Sequence, residues 1–351
     1  MADRLSFAIG PRTSSAPVQP LTDFATASVK CNLGAGPESA VTLPGSSSAA
    51  LLIDGLATDL WVYKNGALFQ RHRILPVEQE WGDSAEDVAT VRAVGYKRLV
   101  EGRYIVSGPP TFTNVDQGSI IKQLIDHTQG QTGGSLGITF GTYLTGTLRT
   151  RTEYKIGDQI GTLTQALAAV DGGCWWGVDA ARVMTAKLWS AFPTRTVPVV
   201  YGTNARKMKR TPGPMAFANA VGAVGSATDT VPNWAVDAGI ATDPRGRWEF
   251  FDASHGSTTT QSTVNAYASG GLATRLHPPA MWVVTLDPAA YFEGDSDYAE
   301  GDFVQIVVPP SAVDPIGPPV NVMARVTEVS LQVDAAGVYT VMLAAVETAE
   351  L

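Results

Sequence analysis

The chain has 351 residues, and its 33 acidic against 25 basic side chains leave a net charge of −8; that balance excludes counterion-release binding of nucleic acid as the main task, because such binding needs clustered Lys and Arg. Only 17% of the residues are charged and 44% are apolar, which supports a sizeable core and excludes wholesale disorder. At about 150 residues per module the length suits two to three modules, and 35 Gly with 22 Pro suit many strands joined by turns better than a helical bundle.

Residues 1–50 show little strong periodicity. Leu5 to Ile9 and Ala27 to Cys31 read as short strands between loops, and Ala49 to Ile53 is a further short apolar run. From Leu60 the pattern sharpens. Leu60 to Tyr63 reads as a strand, Asn65-Gly66 accepts the positive φ of a tight hairpin, and a long return run extends from Ala67 to Trp81. Gly82-Asp83-Ser84 turns the chain into another extended stretch, Val88 to Tyr96, and Ser107-Gly108-Pro109-Pro110 marks a module boundary. Asn114, three residues before Gln117, is expected to cap a helix with the face Ile120, Ile121, Leu124 and Ile125, ending near Gly130. Gly133 to Gly141 is a loop and a short strand. Asp158 reads as a second N-cap, followed at helical spacing by Ile160, Leu163, Leu167 and Val170 and closed by Gly172-Gly173. Cys174 to Val178 and Val183 to Phe192 form a hairpin expected to lie against that helix.

Beyond Pro198, Val199 to Tyr201 is a strand and Arg206 to Arg210 a basic stretch, while residues 226–260 are polar and loop-like. Thr263 to Leu276 reads as a helix, and Met281 to Leu286 and Gly301 to Val308 as strands. A Pro-rich loop, Pro309 to Pro319, precedes two long final strands, Val320 to Val333 and Val338 to Val346, joined by Asp334 to Gly337. Residues 60–96 and 303–346 share a layout of short strand, connection, long strand, turn with Asp and Gly, and long strand, with negligible identity. That is either a repeat of pattern or two unrelated meanders.

Cys31 and Cys174 are too few for a disulfide framework and form no C-x-x-C pair, so folding in a reducing cytoplasm is expected. The N-terminus lacks the apolar core of a secretion signal, and no run reaches the roughly 18 apolar residues of a membrane span. The softest stretch, Met215 to Ala227, is interrupted by Asn219. These features point to a soluble protein.

Residues with chemical potential are few. His72, His127, His255 and His277 fall in no close pair and no H-E-x-x-H, which argues against a zinc site; no P-loop motif occurs. Gly133-Gly-Ser135-Leu-Gly137 fits G-x-S-x-G formally. A nucleophile elbow needs a strand before the serine and a helix after it, and the order here is reversed, so a turn is expected. Residues 293–302 hold Glu293, Asp295, Asp297, Glu300 and Asp302, enough oxygens for calcium, but Ala299 and Glu300 break the EF-hand template. A solvated loop is the simpler reading. Trp175-Trp176 is either a sugar-stacking platform or, more simply, part of a domain interface, and Arg206 to Arg210 a solvated or subunit-contacting face. No catalytic, cofactor-binding or metal-binding residue is assigned, and no cofactor or enzymatic activity is expected. A Ser135 hydrolase and a carbohydrate-binding tail module stand as the alternatives to a structural role.

Tyr154-Lys-Ile-Gly-Asp-Gln-Ile160, followed by Leu163, Leu167 and Gly172-Gly-Cys-Trp-Trp176, resembles a recurring segment of the tail hub proteins of long-tailed bacteriophages, also called minor tail or baseplate hub proteins. Tyr96-Lys-Arg-Leu-Val-Glu-Gly-Arg103 is similar to the close of their first barrel. Tyr298-Ala-Glu-Gly-Asp-Phe-Val304, leading to Ala324-Arg-Val-Thr-Glu-Val-Ser-Leu331, is similar to their last one. The resemblance implies an α+β, mainly β protein with two tube-type β-barrel domains and mixed α/β insertions. The expected division is 1–110 for the first barrel, 111–198 for an α/β insertion, and 199–351 for the second barrel with an insertion at about 226–280. It also implies a homotrimer at the distal tail tip of the virion, made in the host cytoplasm. That hub meets the tail tube ring or distal tail protein, the tape-measure protein and receptor-binding proteins, with DNA only in transit through its channel. Val304, Ile306 and Val326 would fill barrel cores, and Gln305, Arg325 and Thr327 would face the channel or neighbouring subunits.

Overall fold

A computed structural model of the chain describes residues 4–80, 87–168, 172–211, 217–226, 230–244, 246–253, 261–276, 279–294, 297–310 and 320–348. Among the described residues strands make up 44% and helices 18%, so the fold is mainly β. The first stretch holds β1 (Leu5–Pro11), β2 (Gln19–Leu21), β3 (Thr26–Asn32), β4 (Glu38–Pro44), β5 (Thr58–Lys64), β6 (Ala67–Ile74), β7 (Glu78–Glu80) and β8 (Val88–Gly95), then helix α1 (Tyr96–Glu101). A mixed module follows, with β9 (Phe112–Asp116), α2 (Gln117–Gln129), β10 (Thr139–Phe140), β11 (Leu148–Arg151), α3 (Ile160–Ala168), β12 (Cys174–Val178) and β13 (Val183–Leu188). The remainder comprises β14 (Val199–Val200), β15 (Ala205–Thr211), β16 (Ala220–Ala223), β17 (Asn233–Val236), β18 (Glu249–Asp252), α4 (Gln261–Leu276), β19 (Met281–Leu286), α5 (Pro288–Glu293), β20 (Phe303–Val308), β21 (Val320–Asp334) and β22 (Tyr339–Glu347). Two compact units result: residues 1–208 with 284–345, and residues 209–283 with 346–351.

The first unit holds most of a 14-stranded sheet with the path β15-β19-β22-β21-β3-β4-β8-β6-β5-β1-β2, to which β7, β14 and β20 are attached. Among the described residues no pairing closes this sheet into a barrel. Period-two alternation sets its inner face: Ala27, Val29 and Cys31 in β3, Val41 and Leu43 in β4, and Ala89, Val91 and Ala93 in β8 are all buried. The poorly periodic first 50 residues thus supply four full strands. Two of them, β3 and β4, carry the sheet from its C-terminal to its N-terminal strands. The link is β21, whose 15 residues are long enough for two partners along one edge, with β22 along the other. Its first part pairs with β20, Val320 opposite Val308 to Arg325 opposite Phe303, and its last part with β3, Glu328 opposite Asn32 to Asp334 opposite Thr26. Val329, Leu331 and Val333 are buried beneath that second ladder, each worth about 1.5–3 kcal/mol of transfer free energy.

Local signals placed most elements. Asn65 and Gly66 have φ of 50° and 78° and close the β5–β6 hairpin as expected. The return run breaks at Leu75-Pro76-Val77, because Pro76 has no N–H to extend the ladder. Helix α2 buries Ile120, Ile121, Leu124 and Ile125 and ends at Gly130, but its cap is Asp116, not Asn114. The Asp116 carboxylate accepts from the Gly118 and Ser119 amides at 2.8 and 3.3 Å, while Asn114 remains in β9. Asp158 does not cap α3; its carboxylate accepts from the Lys155 amide at 2.8 Å and closes the preceding turn. The buried face of α3 is Ile160, Thr164 and Leu167, with Leu163 only partly buried beside it.

The second unit centres on a three-stranded sheet, β17-β16-β18, with β16 antiparallel to β17 and parallel to β18. Residues 226–260 therefore hold two strands and a 3-10 turn rather than loop alone. Helix α4 covers one face, where Val264 and Ala268 meet Ala223 and Ala235. The turn at Gly82-Asp83-Ser84, Val170, Met215, His255, His277, Asp295 and positions 311–319 of the Pro-rich loop lie outside the described residues.

Candidate functional site

Among the described residues, the largest concentration of buried polar chemistry lies in the first unit, where β5, β6 and α1 meet the mixed module. Asp59, fully buried on β5, accepts from Arg71 Nε at 2.8 Å and Tyr96 Oη at 2.6 Å on Oδ2, and from Arg73 Nε at 2.7 Å on Oδ1. Arg71 also donates to the carbonyls of Arg12 and Ser14, both at 2.9 Å, and Arg73 to that of Leu56 at 2.9 Å. One carboxylate thereby ties two strands, a helix N-terminus and two loops together. Burial and the adjacent Asp59 raise the Tyr96 pKa. Between the arginines, His72 is enclosed with its Nδ1 2.7 Å from Ser39 Oγ, and burial lowers its pKa to about 3.

Next to Tyr96 in α1, Lys97 donates to the Gly34 carbonyl at 2.7 Å and faces Glu101, one turn on, at 3.6 Å. Burial lowers the Lys97 pKa and raises that of Glu101. Beside this pair lies a cavity of ≈ 210 Å³, bordered by Leu33, Thr164, Trp175, Trp176 and Trp189. A second of ≈ 150 Å³, reached by Gln70 and Glu300, shares Leu33, Lys97 and Trp175 with it. The aromatic walls interlock. Trp175 donates its indole N–H to the Leu33 carbonyl at 3.1 Å and meets Phe192 edge-on at 5.5 Å, and Trp189 stacks on Phe192 at 6.1 Å. Arg325 lies over Phe303 at 4.6 Å and Trp189 at 5.3 Å. The seam joins residues of the mixed module to β20 and β21 by ring packing and cation–π contact.

The sequence candidates land as follows. Trp176 is in the core and Trp175 is half-buried against Phe192, so this pair serves an interface within the unit and not an open sugar platform. Ser135 is exposed in a turn, its Oγ accepting from the Gly137 amide at 3.3 Å; β10 follows it where an elbow would need a helix. The acidic stretch is not simply solvated. Glu293 pairs with Arg4, Asp297 with Lys64 and Asp302 with Arg195, while burial raises the Glu300 pKa. These carboxylates engage separate cations, and among the described residues no group of three or more metal-ligating side chains converges. In the basic stretch Arg206 pairs with Asp287 and Arg210 with Glu347.

Val304, Ile306 and Val326 are fully buried, as expected. Arg325 and Thr327 are half-buried and engaged within the chain: Arg325 covers rings of its own chain, and Thr327 Oγ1 donates to the Ala344 carbonyl at 3.2 Å. The Asp59 cluster was missed from sequence, although Arg71-His72-Arg73 on a strand facing Asp59 was its available signal. Burial also raises the Cys174 thiol to about 12 and the Cys31 thiol well above its usual value. Both stay protonated at neutral pH, suited to packing rather than nucleophilic attack.

Neither a protein-family profile nor a curated protein sequence matches the chain. Solved structures do. The chain is similar to a 43 kDa tail protein of prophage MuSo2 from Shewanella oneidensis, with TM-score 0.68 and 11% identity over 97% of this chain and 98% of that one. It is similar to a tail protein from Neisseria meningitidis at TM-score 0.64 and 9% identity, over 97% and 96% of the two chains. An Escherichia coli type VI secretion component, itself described as similar to the phage T4 tail proteins gp27 and gp5, follows at TM-score 0.51 and 12% identity, over 97% and 77%. The fold is that of phage tail proteins, the class its motifs resemble.

Proposed function

We propose that the chain is a structural protein of a phage or prophage tail, and within the tail its tip hub. The observation that carries this reading is end-to-end fold similarity to tail proteins: the prophage tail protein and this chain cover each other almost completely. The continuous sheet supports it. Strands β1 to β8 form one set and β14, β15 and β19 to β22 another, joined through the β21–β3 ladder. In the hub reading these sets are the two tube-type barrels, divided as 1–110 and 199–351, with 111–198 and about 226–280 inserted. Three copies, each contributing two similar elements, then match a six-fold tube at the distal tip of the virion. Their neighbours are the tube ring or distal tail protein, the tape-measure protein and receptor-binding proteins, and DNA passes through the ring. The protein acts without catalysis, and its ring contacts each exceed about 1,000 Å².

Electron microscopy of an assembled tail tip tests the reading. Three copies around the axis, with both strand sets in the ring wall, are expected. Six copies per ring, or one strand set per chain in the wall, overturn the hub.

A further inference from the structure

The second unit carries a surface that the tail reading does not use. Register places Gly222 of β16 between Trp234 of β17 and Phe251 of β18. Alternation turns Val221, Ala223 and Ala235 toward α4 and sends Gly222, Trp234, Val236 and Phe251 to the opposite face. On that face Trp234 and Val236 are each 40% exposed and Phe251 is 46% exposed. The two ring centroids lie 5.8 Å apart, with 42° between their planes. They meet above Gly222, where a Cβ would come 2.6 Å from Phe251 and 3.0 Å from Trp234. A side chain at this position would force the rings apart. Glycine weakens a strand interior, and it occurs where something must approach the backbone closely.

The rim is polar and held in place. Arg247 lies 5.8 Å from the Trp234 ring centroid, and its Nε donates to Glu249 Oε1 at 2.6 Å. The loop bearing Arg247 is tethered by Asn219, the residue that interrupts the apolar run in the sequence. Fully buried, Asn219 donates to the Gly246 carbonyl at 2.7 Å and to Asp243 at 3.1 Å, and accepts from the Trp248 amide at 2.7 Å.

We propose that this face binds a neutral oligosaccharide. The aromatic floor matches the C–H face of a pyranose ring, and the rim offers a donor and an acceptor to its hydroxyls. Arg247 and Glu249 neutralise each other, so among the described residues the rim offers a compensated ion pair, which suits the hydroxyls of an uncharged polyol better than a phosphate or a cation. Size selects the same occupant. Three strands of four residues span a face of about 15 by 13 Å, far below the roughly 800 Å² per partner of a standard protein interface and sufficient for one or two sugar rings.

The test is titration of the full chain with cellotetraose and with chitotetraose, read by calorimetry and by saturation-transfer NMR. Saturable binding to at least one is expected, weakened by about tenfold in Trp234→Ala and in Phe251→Ala. Gly222→Ala should weaken it similarly by parting the rings. Arg247→Ala removes a half-exposed rim donor and should lower affinity with the melting temperature unchanged, separating recognition from folding. Absence of binding to both sugars overturns the proposal, as does affinity unchanged in the ring variants. A self-associating chain that Phe251→Ala converts to monomer overturns it too, because the face would then be a contact between copies.

Discussion

Asp59 places one negative charge where two arginines are almost completely withdrawn from water, at 5% and 6% side-chain exposure. Removing that charge leaves both guanidinium groups buried without a counter-ion, a change that typically costs about 3–5 kcal/mol. Asp59→Asn is therefore expected to lower stability by that amount in urea unfolding, and a loss below about 1 kcal/mol would show that water reaches the cluster. His72 makes the same region sensitive to pH. Its pKa of about 3 lies below the ordinary 6.5, so the unfolded chain binds the proton first. The stability gained by burying it neutral is complete above pH 6.5 and is lost as pH falls toward 3. The loss approaches about 1.4 kcal/mol per pH unit below the ordinary value. Glu101 and Glu300, whose raised values act with the opposite sign, are common to wild type and His72→Gln. The stability difference between these two proteins should thus change between pH 6.5 and 5, and a constant difference would contradict the assignment.

Helix α3 shows how an amphipathic pattern fixes a face only to within one residue. Ile160, Leu163 and Leu167 suggested the packed stripe, yet Thr164 is 1% exposed and turns inward, its hydroxyl donating to the Ile160 carbonyl at 3.0 Å. The helix has rotated so that Leu163 sits at the margin of the core while Leu167 remains at its centre. Leu167→Ala should cost about 2–5 kcal/mol, as for other enclosed leucines, and Leu163→Ala distinctly less. Thermal melting of the two variants checks the order, and equal losses would restore the simpler stripe.

At the scale of the whole molecule, residues 4–44 are structural despite their weak pattern. Strands β3 and β4 fill the gap between β21 and β8. Without them both neighbours would expose long unpaired edges, which promote aggregation. A chain beginning at residue 45 is expected to be insoluble or to lack cooperative melting, and a soluble, cooperatively folded product would show that the β21–β3 ladder is dispensable. The seam of Trp175, Trp189, Phe192 and Arg325 holds the mixed module against the same sheet from within the first unit.

Much of this was legible from local chemistry. The Asn65-Gly66 turn, the Gly130 end of α2, the alternation in β21 and the wrong order of elements around Ser135 each depend on neighbours a few residues away, and each reads correctly without coordinates. The Asp59 cluster shows where such reading stops. A regular two-residue hairpin closing at Asn65-Gly66 would pair Asp59 with His72. A register shift between Val62 and Tyr63 moves the partner to Arg73, so that Asp59 stands opposite one arginine and diagonal to the other. Residue types do not announce that bulge. Nor do they announce the ladder joining β21 to β3, whose members Glu328 and Asn32 are 296 positions apart, or the meeting of Trp234 and Phe251 over Gly222. The sequence by itself determined the β-rich class, the turns and the apolar faces, because periodicity and backbone preference act over one or two turns of chain. Only the tertiary structure decided which edges pair and which buried charges meet, because those depend on register between distant strands, where a shift of one residue exchanges every side chain between core and solvent.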